Sequence, residues 1–159
     1  MIRLMSVLLT LLFAGSLAQA RESLSRDELT MLQDPGGWEY MVISDPNNGF
    51  QTQAACFDAQ RTGACEGKLF FYSDGRFVQT ITGHGKSMHR GGTYKLDGHD
   101  VTFFDEHGTS DGPYTLKIDE QAQTLTVDAT RAGVSVHMEL LLEREFKKRL
   151  EKKQPGSGG

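Results

Sequence analysis

Gly67-Lys68-Leu69-Phe70-Phe71-Tyr72-Ser73-Asp74-Gly75-Arg76-Phe77 is the stretch that decides the fold. An aromatic run ends on Asp74-Gly75 and a second run starts at once. The dipeptide suits a tight turn in which glycine takes a positive φ that a side chain resists. Asp97-Gly98 repeats the device between Gly92-Thr93-Tyr94-Lys95-Leu96 and Val101-Thr102-Phe103. Working outward from these two hairpins, β-branched and aromatic runs separated by turn residues predict eight strands, over 38–44, 66–73, 76–82, 92–96, 100–105, 113–119, 123–129 and 134–143.

Alternation says how those strands are buried. Val134, Val136, Met138, Leu140 and Leu142 fall on one face, with Ser135, His137 and Glu139 on the other. Tyr114, Leu116 and Ile118 repeat the pattern, as do Leu125 and Val127. A twisted sheet of eight strands has two exposed edges, and closure into a barrel removes both. The expected fold is therefore mostly β, an antiparallel up-and-down eight-stranded barrel, with a two-sheet sandwich as the alternative. Ser25-Arg26-Asp27-Glu28 forms a capping box for a short N-terminal helix to about Gln33, stopped by Asp34-Pro35-Gly36-Gly37. Phe70, Tyr72 and Phe104 lie opposite inward positions, so the outer wall needs cover. A short C-terminal helix with Phe146 and Leu150 one turn apart is expected to provide it.

The first twenty residues combine Arg3, an apolar run from Leu4 to Leu17, and Ala18-Gln19-Ala20, the three parts of a secretory signal. The run is shorter than the roughly 20 apolar residues of a membrane span, and no later segment approaches that length. The chain divides into a signal peptide at 1–20, a helical lead-in at 21–36, a barrel at 37–145, and a C-terminal helix with a flexible tail at 146–159. Removal of the signal leaves 139 residues, enough for one core, with 16 basic residues against 21 acidic and a net charge of −5. That balance argues against nucleic acid and anionic lipid as partners. A periplasmic or secreted location follows from the signal.

The order of motifs resembles the bacterial lipocalin-like domains. Gly37-Trp38 opens the first strand, the Asp74-Gly75-Arg76-Phe77 hairpin and the Gly92-Thr93-Tyr94-Lys95-Leu96 strand follow, and the last strand ends on Glu143-Arg144. The likeness covers roughly residues 36 to 145 and departs from the family pattern in the long 45–66 loop. It implies an eight-stranded barrel whose mouth admits a small apolar ligand.

Candidate chemistry is sparse. Trp38, Phe71, Phe77, Tyr94, Phe103, Tyr114 and Met138 are expected to point inward, filling the barrel or lining a ligand cavity, with Trp38 favoured as a plug over one end. The 83–92 stretch reads as a loop that brings His84, Met88 and His89 together, ligand types that copper or zinc accepts, although Lys86 and Arg90 place positive charge beside them. His99, Asp105, Glu106, His107 and Asp111 gather near the fifth strand but lack the acidic spacing of a calcium loop, and read as solvated. Gly108-Thr109-Ser110-Asp111-Gly112 matches a nucleophile elbow in letters, yet strands flank it where a strand and a helix are needed. It reads as a hairpin loop. No catalytic residue and no cofactor is assigned. The expected function is non-enzymatic, the holding of a small hydrophobic molecule. The alternative is a periplasmic or secreted protein-binding module, such as an inhibitor of a lytic enzyme, acting through its loops, which truncation of the 45–66 loop would disable.

Two cysteines, Cys56 and Cys65, allow one pairing in an oxidising compartment, and no CxxC spacing points to metal. A disulfide between them closes a short loop, and its reduction is expected to lower stability by about 3 kcal/mol. Melting curves that coincide with and without reductant would remove its structural role.

Overall fold

The computed structural model describes residues 22–45, 50–55, 65–83, 86–131 and 133–153. Residues 1–21, with the expected signal peptide, Cys56, His84 and the tail beyond residue 153 lie outside them, and so does the expected disulfide. Helix α1 (Arg26–Leu32) precedes nine strands among the described residues: β1 (Trp38–Asp45), β2 (Phe50–Ala55), β3 (Cys65–Phe71), β4 (Arg76–Gly83), β5 (Lys86–Asp97), β6 (Asp100–Phe104), β7 (Ser110–Asp119), β8 (Thr124–Arg131) and β9 (Val134–Leu142). Helix α2 (Glu143–Lys153) follows. It spans the charged tail from Glu143 to Lys153 that the sequence pattern reads as a short helix, and Glu143 and Glu145 place carboxylates in the first turn, where the helix dipole favours negative charge.

From β3 to β9 each strand pairs antiparallel with the next, and β1 joins the two ends. Along one edge β1 pairs with β9, from Trp38 opposite Leu142 to Ser44 opposite His137. On the other edge Trp38 and Glu39 pair with Leu69 and Lys68 of β3. The result is a closed eight-stranded antiparallel barrel, which decides against the sandwich. Strand β2 is the ninth. It lies inside the segment expected to be an unstructured loop, where it takes the upper half of the same β1 edge, with Val42 opposite Ala55 and Asp45 opposite Phe50. Backbone groups beyond Glu39 would otherwise lack partners there.

Alternation carries sequence into packing as expected for β9, whose Val136, Met138, Leu140 and Leu142 are all buried. On β1 the alternation breaks once. Tyr40 pairs with Leu140 and Val42 with Glu139, so Met41 is bulged, and Tyr40 and Ile43 both turn inward although three positions apart. The same bulge sends Met41 outward to join Leu141, Phe146 and Leu150 beneath α2. The expected anchors of α2 are therefore the ones used, but the aromatic residues they were expected to cover lie elsewhere. Lys68 sits 5.9 Å over the Phe70 ring, Arg76 5.3 Å over Tyr72 and Lys95 5.4 Å over Phe104, so cations cover that wall.

Helix α1 seals one end of the barrel. Its capping box is complete, with the Ser25 backbone N–H donating to Glu28 at 2.7 Å and the Glu28 N–H to the Ser25 hydroxyl at 3.1 Å. Leu32 is fully buried against the core, and the Trp38 indole N–H donates to the Leu32 carbonyl at 3.0 Å. Trp38 is thus the plug, its large apolar body buried and its one polar atom satisfied by the helix.

The outer wall of β7, β8 and β9 carries a ladder of charges. His137 stands outward, as expected, with Nδ1 2.6 Å from Asp128 and Nε2 3.1 Å from Glu139, while Lys117 reaches Asp128 at 3.4 Å. The bond to Asp128 lifts the imidazole above its ordinary 6.5, although burial works against it. Burial works to raise the Asp128 carboxyl, but the bonds from His137 and Lys117 hold it below its ordinary 3.8. Because the histidine value is raised, its stabilisation is complete below the unfolded value and disappears as pH rises through the folded one. Because the carboxyl value is lowered, its share is present above the unfolded value and disappears as pH falls through the folded one. In urea denaturation His137→Ala should therefore cost about 0.5 kcal/mol near pH 5.5, given the half-exposed pair, and close to nothing near pH 8.5. A gap that does not change with pH would contradict this.

Candidate functional site

The seven residues expected to face inward are all buried in one core with Leu69, Leu116 and Leu140. In the half nearest α1 they fill the barrel. Phe71 meets Tyr94 edge-on at 5.1 Å and Phe103 at 5.8 Å, and Phe77 lies 4.6 Å from Phe103. The Tyr94 hydroxyl accepts from Gln33 at 2.8 Å and donates to the Tyr72 carbonyl at 3.0 Å, which satisfies the one polar atom of this floor.

Above that floor the inner wall becomes polar. Phe77, Gln79 and Ile81 alternate inward on β4 and are buried, and the β4–β5 register sets Gln79 opposite Arg90 and Ile81 opposite Met88. Arg90 therefore shares the inward parity of Met88, which packs against the core, and of Tyr94. On β7 the register shifts between the partners of Val101 and Phe103, so that both Asp111 and Tyr114 turn inward despite their odd spacing. Arg90 Nη1 lies 2.7 Å from Asp111 Oδ2, and the Tyr114 hydroxyl donates to Asp111 Oδ1 at 2.8 Å.

On the opposite wall Gln79 Nε2 donates to the Tyr40 hydroxyl at 2.6 Å. A glycine makes that contact possible. A Cβ on Gly67 would stand 2.7 Å from the Thr80 carbonyl and 3.1 Å from the Tyr40 ring, so only the bare backbone lets the ring lie flat against β3. Gln79 is 6 % exposed, yet among the described residues nothing donates to its carbonyl oxygen. Such an oxygen costs about 1–3 kcal/mol in a core. Arg90 and Asp111 keep 27 % and 20 % of their side chains exposed although both face inward.

Other candidates disperse. The expected 83–92 loop is mostly strand, since β5 begins at Lys86, and neighbours on a strand face opposite ways. Met88 packs inward while His89 is exposed, so these two do not converge on one ion. Asp105 accepts the backbone N–H groups of His107 at 2.9 Å and Thr109 at 2.8 Å, bonds that hold its carboxyl below the usual range. Asp111, expected in the same cluster, turns into the barrel instead. Among the described residues no three of His, Cys, Asp and Glu are grouped to hold a metal, and no helix is long and apolar enough to cross a membrane. Ser110 is exposed at the start of β7, with strands before and after it.

The belt of Tyr40, Gln79, Arg90, Asp111 and Tyr114 is only partly legible in the chain. Tyr114 was assigned inward. Gln79 carries a usable signal, two positions from Phe77 and from Ile81, whereas Arg90 was hidden by the glycines that made its strand resemble a loop. No family model, curated protein or solved structure matches this chain.

A buried amide with an unpaired oxygen lowers the stability of the fold that holds it. Gln79→Leu keeps the side-chain bulk and removes that oxygen together with the N–H that the Tyr40 hydroxyl accepts, so the two effects offset and stability should change by no more than about 1 kcal/mol in urea denaturation. A loss well beyond that size would identify Gln79 as a satisfied structural residue.

Proposed function

We propose that the protein is an exported, non-enzymatic binding module of the lipocalin-like kind, holding one small and largely apolar molecule inside the barrel. The observation that carries this reading is the contrast between the two halves of the interior. One half is filled by aromatic rings and plugged by Trp38 and α1. The other presents a buried Gln79, to whose carbonyl nothing donates among the described residues, beside a partly exposed Arg90. Pockets for small molecules have this make-up, apolar walls with a few placed polar groups that fix orientation.

Ile81 and Met88 sit two residues nearer the β4–β5 turn than Gln79 and Arg90, and supply apolar wall beside the belt. The motif order of the chain and its signal-like start support the same reading. The closed barrel is compatible with it and by itself indicates no ligand.

Native mass spectrometry of the protein purified from the exported fraction of its host tests the proposal. The expected result is a stoichiometric organic adduct that disappears on denaturation. A clean apo mass under gentle desalting, or absence of the protein from that fraction, would contradict it.

A further inference from the structure

The belt also carries information about the head group of the molecule it holds, granted the reading of the barrel as a binding module. Arg90 brings a positive charge inside the barrel and Asp111 meets it at 2.7 Å. The two charges are opposite and cancel within the pair. An anionic head such as a carboxylate would bring a second negative charge beside Asp111 that Arg90 alone does not balance, which works against its binding. A cationic head would meet the guanidinium.

The unused hydrogen-bonding capacity of the belt is of both kinds. Among the described residues Arg90 uses one guanidinium nitrogen on Asp111, which leaves the N–H groups of its other nitrogens as donors. Gln79 uses one N–H on Tyr40 and leaves its carbonyl as an acceptor. Gln79 and Arg90 stand directly opposite each other on neighbouring strands. Directly opposed residues have Cβ atoms about 5 Å apart, close enough for one small group to touch both side chains.

We infer that the belt of Gln79 and Arg90 binds a neutral head group that both accepts and donates, a carboxamide being the simplest case. The head-group carbonyl accepts from the Arg90 guanidinium and its N–H donates to the Gln79 carbonyl. Both open positions are then filled with no net charge added. A carboxylate accepts only, so it leaves the Gln79 oxygen unpaired as well as adding charge. The apolar remainder of the molecule lies along Ile81 and Met88. Selectivity therefore comes from the charge balance that Asp111 sets.

Calorimetric titration of the protein with two probes of equal chain length, decanamide and decanoate, tests this. The wild type should bind decanamide at least about tenfold more tightly, the order of effect expected when one buried polar partner is left unpaired. Asp111→Asn removes the balancing charge and should shift the preference toward decanoate. Equal or tighter binding of decanoate by the wild type would overturn the head-group assignment while leaving the binding module standing. Binding of neither probe, together with no binding of decanol, would overturn both. The wild-type comparison decides the matter even if the Asn variant does not fold.

Discussion

Everything in this molecule depends on the pairing of both edges of β1. The β1–β9 ladder converts a meander into a closed barrel, and closure is what gives the chain an inside. Closure also demands two phases from one strand. Trp38 and Tyr40 must face inward on one side of the Met41 bulge, and Ile43 on the other. Before the bulge β1 pairs with β3, and past it the same edge pairs with β2. One local irregularity thus sets the inner surface, the seat of α2 on Met41, and the extra strand.

The inner surface is divided along the barrel axis, and the division has opposite consequences at the two ends. Near α1 every polar atom of the aromatic floor named above is satisfied, the indole by Leu32 and the Tyr94 hydroxyl by Gln33 and Tyr72. That end carries stability. Farther from α1 the chain accepts a buried amide to whose oxygen nothing donates among the described residues, and an inward ion pair, neither of which a core needs. Natural sequences tolerate local cost of this kind at sites of function, where the missing partner is supplied by something that binds.

The legible part of this fold was the part governed by short-range rules. Asp74-Gly75 and Asp97-Gly98 place glycine at positive φ, +84° and +65°, and the hairpins follow. Strict alternation on β7 to β9 identified the buried face correctly, and the seven inward aromatic and methionine residues are all in the core. What was illegible required pairing partners. Gly83, Gly85, Gly91 and Gly92 give 83–92 the composition of a loop, yet the stretch from Lys86 is strand because β4 offers it an unbroken ladder from Gly83 to Arg76. Arg90 could not be placed inside until that ladder was known. Asp111 read as part of an acidic loop because the register shift that turns it inward is a property of two strands.

A high-resolution crystal structure of the protein purified from its host tests the central claim most directly, at the space beside the Gln79 carboxamide. The account predicts density there that does not belong to the chain, an organic molecule or ordered water, within hydrogen-bonding distance of both Gln79 and Arg90. A side chain of the protein itself filling that space and donating to the Gln79 carbonyl would contradict it, since the belt would then be an ordinary satisfied core.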